Sequence, residues 1–257
     1  LPFLASSGWP CKGRPTWRNG GNGVTTAFDL VIIGWLNGYS RASMAADKTI
    51  YVIAQSDLLK GGVLMALLWW CWTRRSGRLI GPDLYAVRTI AGALLAIAIG
   101  RGMQNFLPMR LRPVHDPELG FVVPYDVNAW AVDGWSSFPS DHAVLFFALA
   151  AALWWSNRLV GAFAFLWTLV VICLPRVYLG LHFPTDILAG GVVGVLIMAA
   201  VLAVPVPEPL TRRFLHWQEA QPGIVYALAF LVTLQMATLF ANARRLIEGA
   251  MTVLLGS

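Results

Sequence analysis

Charged residues are scarce in this sequence. Asp, Glu, Lys and Arg together make up 12% of the 257 residues, whereas hydrophobic residues make up 57%. A typical soluble domain has roughly 25% charged and about 45–50% apolar residues. So little charge cannot cover a water-exposed surface, which excludes a soluble globular enzyme and a disordered protein. The composition therefore predicts an integral membrane protein whose residues 1–257 form one membrane-embedded domain.

Cysteines and clustered basic residues are also few. The three cysteines form no motif, and Cys71 and Cys173 lie within apolar runs, so neither a disulfide framework nor a metal site is predicted. The net charge is +6, but no basic run exceeds two residues, which argues against a nucleic-acid partner. Residues 1–24 lack the apolar centre of a signal peptide, and we expect them to be irregular or interfacial.

Six apolar stretches are long enough to suggest membrane-spanning helices. They cover about 54–73, 84–104, 142–157, 159–175, 184–206 and 223–242. Residues 26–46 mix apolar residues with Asp29 and Arg41, which is typical of an interfacial helix or helical hairpin. The sequence thus predicts an all-α, polytopic membrane helix bundle with about six transmembrane helices and an amino-terminal interfacial helical segment.

The connections between these stretches differ in charge. With six spans, the polar loops near 105–141 and 176–185 lie on one face of the membrane. The segments 73–78, 156–158 and 207–222 lie on the other face and carry most of the Lys and Arg found in short loops. Short cytoplasmic loops are enriched in these residues. We therefore expect a multi-pass protein of a bacterial inner membrane, with its polar loops in the periplasm.

Three polar clusters fall on this predicted outer face. They comprise Arg110, Arg112 and Pro113; Ser140, Asp141 and His142; and Arg176, His182 and Asp186. Polar residues near membrane spans are costly unless they have a task. Arginines give paired hydrogen bonds to phosphate oxygens, and imidazoles can attack phosphorus or protonate a leaving oxygen. The clusters contain no set of residues with metal-ligand spacing. Their residue types suit the binding of a tetrahedral oxyanion.

The spacing in the third cluster is specific. His182 and Asp186 are four residues apart, so the carboxylate can reach the imidazole within one helical turn. Pro184 is placed to mark the first turn of that helix. Ser140 precedes an apolar run as an N-cap residue does, so backbone N–H groups there can also hold phosphate oxygens.

In these three motifs the chain resembles the type 2 phosphatidic acid phosphatase superfamily of membrane lipid phosphatases. That family has Lys, six residues and Arg-Pro; then Pro-Ser-Gly-His; then Ser-Arg, five residues, His, three residues and Asp. Arg112-Pro113 matches the end of the first motif, and Arg176, His182 and Asp186 match the third. In the second motif Asp141 replaces Gly, a form similar to that of bacterial undecaprenyl-pyrophosphate phosphatases.

The resemblance implies a role for each matching residue. His182 is then the nucleophile that forms a phosphohistidine, Asp186 orients it, and His142 protonates the leaving group. Arg112, Arg176 and Ser140 bind the phosphoryl oxygens. The mechanism implies no metal and no cofactor.

Two positions depart from the family pattern in ways that concern substrate binding. Asn105 stands where the first motif has lysine, which leaves open whether Arg110 or Arg101 supplies this cation. Asp141 is expected either to favour the protonated form of His142 or to meet a diphosphate through water or a cation.

The sequence therefore predicts a lipid phosphatase. The predicted substrate is a lipid phosphate or diphosphate, with an undecaprenyl diphosphate-like lipid first, and membrane lipids are the expected partners. A phosphotransferase with the same intermediate and a non-hydrolytic lipid transporter stay open as alternatives. The lipid tail and the oligomeric state are not determined by the sequence.

Overall fold

The computed structural model describes residues 25–73, 82–127 and 134–243, together with positions 245, 246 and 252. Two predictions fall outside these residues: the irregular or interfacial character of residues 1–24, and the basic segment between positions 74 and 78.

The described residues form α-helices and no strand, which confirms the predicted all-α class. The α-helices are α1 (Ala27–Asn37), α2 (Met44–Gln55), α3 (Val63–Thr73), α4 (Pro82–Phe106), α5 (Asp141–Ser156), α6 (Arg158–Trp167), α7 (Leu174–Tyr178), α8 (Pro184–Ala203), α9 (Glu208–Ala220) and α10 (Pro222–Ala237). Two π-helical turns, Leu58–Gly62 and Thr168–Cys173, precede α3 and α7, and two 3₁₀ turns, Pro113–His115 and Pro117–Leu119, lie in the long polar loop.

Several helices are long and apolar enough to cross a membrane. Within the described residues, these are α4, the continuous run from α6 through α7, and α8. Two bent pairs raise the number to as many as five: α2 with α3, bent by 58°, and α9 with α10, bent by 105°. The stretch predicted as a span at 142–157 is the 16-residue apolar helix α5. Residues 26–46 form α1 and the start of α2.

Helix α5 lies at the centre of the bundle and packs against α4, α6 and α8. Its side chains from Ala143 to Phe146 are fully buried. Contact with α8 is close because α8 carries glycines: a Cβ on Gly194 would lie 2.1 Å from the Val144 carbonyl oxygen, and one on Gly190 would lie 2.7 Å from that of Ser140. These small residues let the backbones approach, and they hold the start of α5 against the start of α8.

Candidate active site

Hydrogen bonds join the three motif segments into one unit. The Ser137 N–H donates to the Arg110 carbonyl at 3.0 Å, and the Ser137 hydroxyl donates to the Leu111 carbonyl at 3.2 Å. The Ser140 N–H in turn donates to the Asp186 carbonyl at 3.2 Å. Segments 110–113, 136–142 and 182–186 therefore meet at one end of α5 and α8, although they are far apart in the sequence.

His182 is held by a backbone carbonyl and lies close to a carboxylate. Its Nδ1 lies 2.9 Å from the Ser137 carbonyl oxygen and 3.7 Å from Asp186 Oδ2. Only the first distance is that of a hydrogen bond, and Asp186 Oδ2 itself accepts from the Phe183 N–H at 2.7 Å. An Nδ1–H that donates to Ser137 leaves the lone pair of Nε2 available. Sequence reasoning missed Ser137, because a backbone acceptor leaves no mark in the residue types.

The environment favours the neutral form of this imidazole. His182 is 2% exposed. Burial lowers the pKa of His182 below its ordinary value; Asp186 opposes the shift, and the positive charge of Arg112 adds to it. Neutral imidazole is the form that can act as a nucleophile.

Arg112 lies directly beside His182. Its Nη1 is 2.7 Å from the Leu181 carbonyl oxygen and 3.4 Å from Nε2 of His182. Its other nitrogens donate to the carbonyls of Trp135 and Ser136, at 3.3 Å each. Neutral carbonyls fix the guanidinium without cancelling its charge, and burial lowers the pKa of Arg112.

Arg176 is buried with even fewer partners. It is 7% exposed, its Nε has no hydrogen-bond partner, and no ion pair with a described residue satisfies its guanidinium. It interacts electrostatically with Asp141 and Arg112. A buried charge without a counter-ion is costly, so this arrangement suits an anion that enters from outside the protein.

His142 is paired with the residue before it. Its Nδ1 lies 2.8 Å from Asp141 Oδ1, which also accepts the His142 N–H at 2.8 Å. The other oxygen of Asp141 accepts from Arg101 Nη2 at 3.1 Å. Both carboxylate oxygens of Asp141 are thus engaged, and Nε2 of His142 has no hydrogen bond to a described residue. His142 and His182 both belong to the joined motif segments, because His182 Nδ1 contacts the carbonyl of Ser137, five residues before His142.

Ser140 stands at the junction of α5 and α8. The structure confirms it as the N-cap of α5, with its hydroxyl accepting from the Ala143 N–H at 3.5 Å. The side chain is fully buried beside the start of α8.

Arg110, in contrast, is surrounded by acids. Its guanidinium donates to Asp186 Oδ1, to Asp29 Oδ2 at 2.8 Å and to the Thr185 hydroxyl at 2.9 Å. Asp29, on α1, also accepts from the Thr185 N–H at 2.9 Å. We call these four residues, Asp29, Arg110, Thr185 and Asp186, the Arg110 cluster. An acid within an apolar stretch was the signal for Asp29, but its position in the sequence predicted no partner.

The cation that the first motif lacks is therefore not identified by these contacts. Arg110 is held by Asp29 and Asp186, Arg101 is held by Asp141, and Asn105 is exposed. No group of three or more His, Cys, Asp or Glu that could hold a metal ion occurs among the residues that the structure describes.

The fold and the site together define a helical membrane protein with two histidines and two buried arginines in and next to the joined motif segments. We call this set, Arg112, His142, Arg176 and His182, the two-histidine pocket. Residues 85–208 match the PAP2 superfamily. The matched range includes all three motif segments, which confirms the resemblance found in them.

Named relatives agree with this family. The chain is 27% identical over 173 residues to the putative undecaprenyl-diphosphatase YbjG of Escherichia coli, covering 66% of this chain and 80% of YbjG. It is 25% identical over 167 residues to the undecaprenyl-diphosphatase BcrC of Bacillus subtilis, covering 63% and 76% respectively. The crystal structure of Aquifex aeolicus LpxE has the same fold, with a TM-score of 0.51 and 23% identity over 70% of this chain and 97% of LpxE.

Proposed function

We propose that this protein hydrolyses the terminal phosphate of a lipid phosphate or diphosphate through a phosphohistidine at His182. The observation that carries the proposal is the 3.4 Å distance between Nε2 of His182 and Nη1 of Arg112, together with the burial of Arg176, whose carbonyl accepts from the Leu181 N–H. A phosphoryl group held by these arginines lies next to the nucleophile.

The chemistry follows from the hydrogen bonds of the two imidazoles. His182 Nε2 attacks phosphorus, a P–N bond forms, and the bond from phosphorus to the leaving oxygen breaks. His142, held through Nδ1 by Asp141, gives the proton on Nε2 to the leaving oxygen. Water then attacks phosphorus, its proton passes to His142, and the P–N bond breaks. The arginines stabilise the charge on the phosphoryl oxygens.

The relatives named undecaprenyl-diphosphatases make a polyprenyl diphosphate the first candidate substrate. A helical bundle lets the apolar tail stay in the lipid while the headgroup enters the pocket. We expect the site to face the periplasm of a bacterial inner membrane, because the basic loops fall on the opposite side.

A panel of lipid phosphates tests this function. Purified protein is assayed for phosphate release with a chelator present and no added acceptor, on undecaprenyl diphosphate, phosphatidylglycerophosphate, phosphatidate and lipid A. We expect turnover of at least one lipid and inhibition by vanadate. We expect no detectable turnover with His182→Ala and a loss of roughly 10²–10⁴-fold with His142→Ala. His216→Ala, an exposed histidine on α9, is the control that retains activity.

The same assay separates the alternatives. Phosphate that is released only when a lipid or sugar acceptor is added indicates a phosphotransferase. No phosphate release from any lipid, with or without an acceptor, contradicts the enzyme proposal and favours a transporter.

A further inference from the structure

Lys60 is a buried cation that has no role in the proposed reaction. It lies in the π-helical turn Leu58–Gly62, where the α2–α3 pair is bent, and it is 8% exposed. An ionisable side chain inside a membrane bundle is costly and is usually retained for a function. π-Helical turns also occur frequently at functional sites.

The ion pair with Asp57 does not explain this burial. Lys60 Nζ lies 2.9 Å from Asp57 Oδ1, three residues earlier, and the Asp57 side chain is 47% exposed. A lysine on a flexible stem can follow such a partner toward solvent. In this structure the amine instead stays inside, with its side chain only 10% exposed.

The surrounding contacts place the turn that carries Lys60 against the segment that leads to Arg176. Its π-helical turn packs against the turn Thr168–Cys173, which leads into α7 and Arg176. A hydrogen bond from Trp167 Nε1 to the Leu59 carbonyl, at 2.8 Å, also joins the two segments. Lys60 interacts electrostatically with Arg176, Asp141 and His142.

An apolar cavity adjoins the same turns. Its volume is about 390 Å³, and its lining includes Leu59, Pro175, Trp167 and Tyr178. Leu59 and Pro175 are the sequence neighbours of Lys60 and Arg176. The cavity therefore adjoins the two segments that carry Lys60 and Arg176, whereas Arg112 lies beside His182.

Charge complementarity indicates what these cations bind. Among the described residues, Arg112 and Arg176 form no ion pair with a carboxylate, and Lys60 is paired only with a half-exposed one. A single phosphoryl group beside His182 occupies Arg112 and Arg176. A further phosphate attached to the lipid tail needs its own cation nearer the apolar cavity.

Resting on the proposed function, we propose that Lys60 binds the phosphate that stays on the lipid and thereby selects lipid diphosphates over monophosphates. Lys60 makes no bond to the transferred group, so the attack by His182 on a monophosphate does not depend on it.

Substrate preference is the direct test. Values of kcat/KM are measured for a polyprenyl diphosphate and a polyprenyl monophosphate with wild type, Lys60→Met and Lys60→Arg. We expect Lys60→Met to lower kcat/KM for the diphosphate by about 10–100-fold, the value of one charged hydrogen bond, and to change it little for the monophosphate. Lys60→Arg restores most of the loss. Lys48→Met is the control, because Lys48 pairs with Asp126 at the surface.

Equal losses on both substrates, or no loss on either, overturn the proposal. Binding of inorganic pyrophosphate and inorganic phosphate, measured by calorimetry, gives a readout that does not need turnover. Weaker binding of pyrophosphate alone by Lys60→Met supports the proposal even if wild type hydrolyses neither lipid, in which case the proposed function fails on its own. Equal binding by both proteins overturns the role of Lys60.

Discussion

The Arg110 cluster and the two-histidine pocket lie side by side, yet their buried arginines differ in whether carboxylates pair with them. Arg110 has two carboxylates and a hydroxyl around its guanidinium. Among the described residues, Arg112 contacts neutral carbonyls and the His182 ring, and Arg176 has no ion pair. In the first region carboxylates of the protein pair with the arginine, whereas the second region keeps positive charge that can bind an anion.

The two regions are also connected, because Asp186 belongs to the first and faces the second. One of its oxygens accepts from Arg110, and the other lies 3.7 Å from Nδ1 of His182. The Arg110 cluster also ties α1 to the start of α8 through Asp29 and Thr185. We infer that it fixes the position of His182 and that the two-histidine pocket carries out the reaction.

The largest expected effect is on stability, from Arg110→Ala. The substitution leaves Asp29 and Asp186 buried without their counter-ion, and breaking a buried pair in this way costs about 3–5 kcal/mol. We expect a clear fall in the melting temperature in detergent, with loss of activity following from the displaced His182 segment. Arg212→Ala is the matched control: its pair with Glu208 is exposed, so little change is expected.

A stable Arg110→Ala protein with a raised KM would contradict this comparison. That outcome would favour Arg110 as the cation that replaces the missing lysine of the first motif, a choice that the sequence left open.

Arg176→Ala should behave in the opposite way. Arg176 has no counter-ion among the described residues, so its removal also removes the free-energy cost of burying a charge. The melting temperature should therefore stay the same or rise. Loss of a donor to the phosphoryl oxygens should lower kcat/KM by roughly 10²–10³-fold. The measurement pairs lipid phosphatase kinetics with thermal unfolding of the same preparation. A strong loss of stability would mean that Arg176 holds the fold and that the contrast with Arg110 is wrong.

The sequence predicts some contacts of the candidate site and not others. Motif spacing brought His182 near Asp186, and the residue type of Ser140 predicted its N-cap. Apolar runs predicted the helices, but the bends and π-helical turns have no mark in composition. Asp29 and Arg110 are 81 residues apart, so their pairing depends on packing. The same holds for Lys60, which shares no motif with the other residues of the site.

Asp141→Asn gives an intermediate effect that defines the role of this residue. In the structure Asp141 contacts His142 and Arg101. If it acts by holding the imidazole, the substitution should lower kcat by about 10–100-fold, within the range of general acid catalysis, and leave KM nearly unchanged. If Asp141 contacts the substrate, as the sequence also allowed, KM should change instead. Initial-rate kinetics over a wide substrate range separate the two.

The smallest expected effect is a shift in the pH profile, and it tests the neutral state of His182. Because burial lowers the pKa of His182, its neutral form persists as the pH falls through the ordinary histidine value of about 6.5. The limb of kcat/KM that reports protonation of the nucleophile should therefore lie below that value. Asp186 opposes the lowering, so Asp186→Asn should move the limb to still lower pH in whatever activity remains. A shift to higher pH in Asp186→Asn would mean that Asp186 does not act on the charge of His182, and the link between the two regions would then be steric alone.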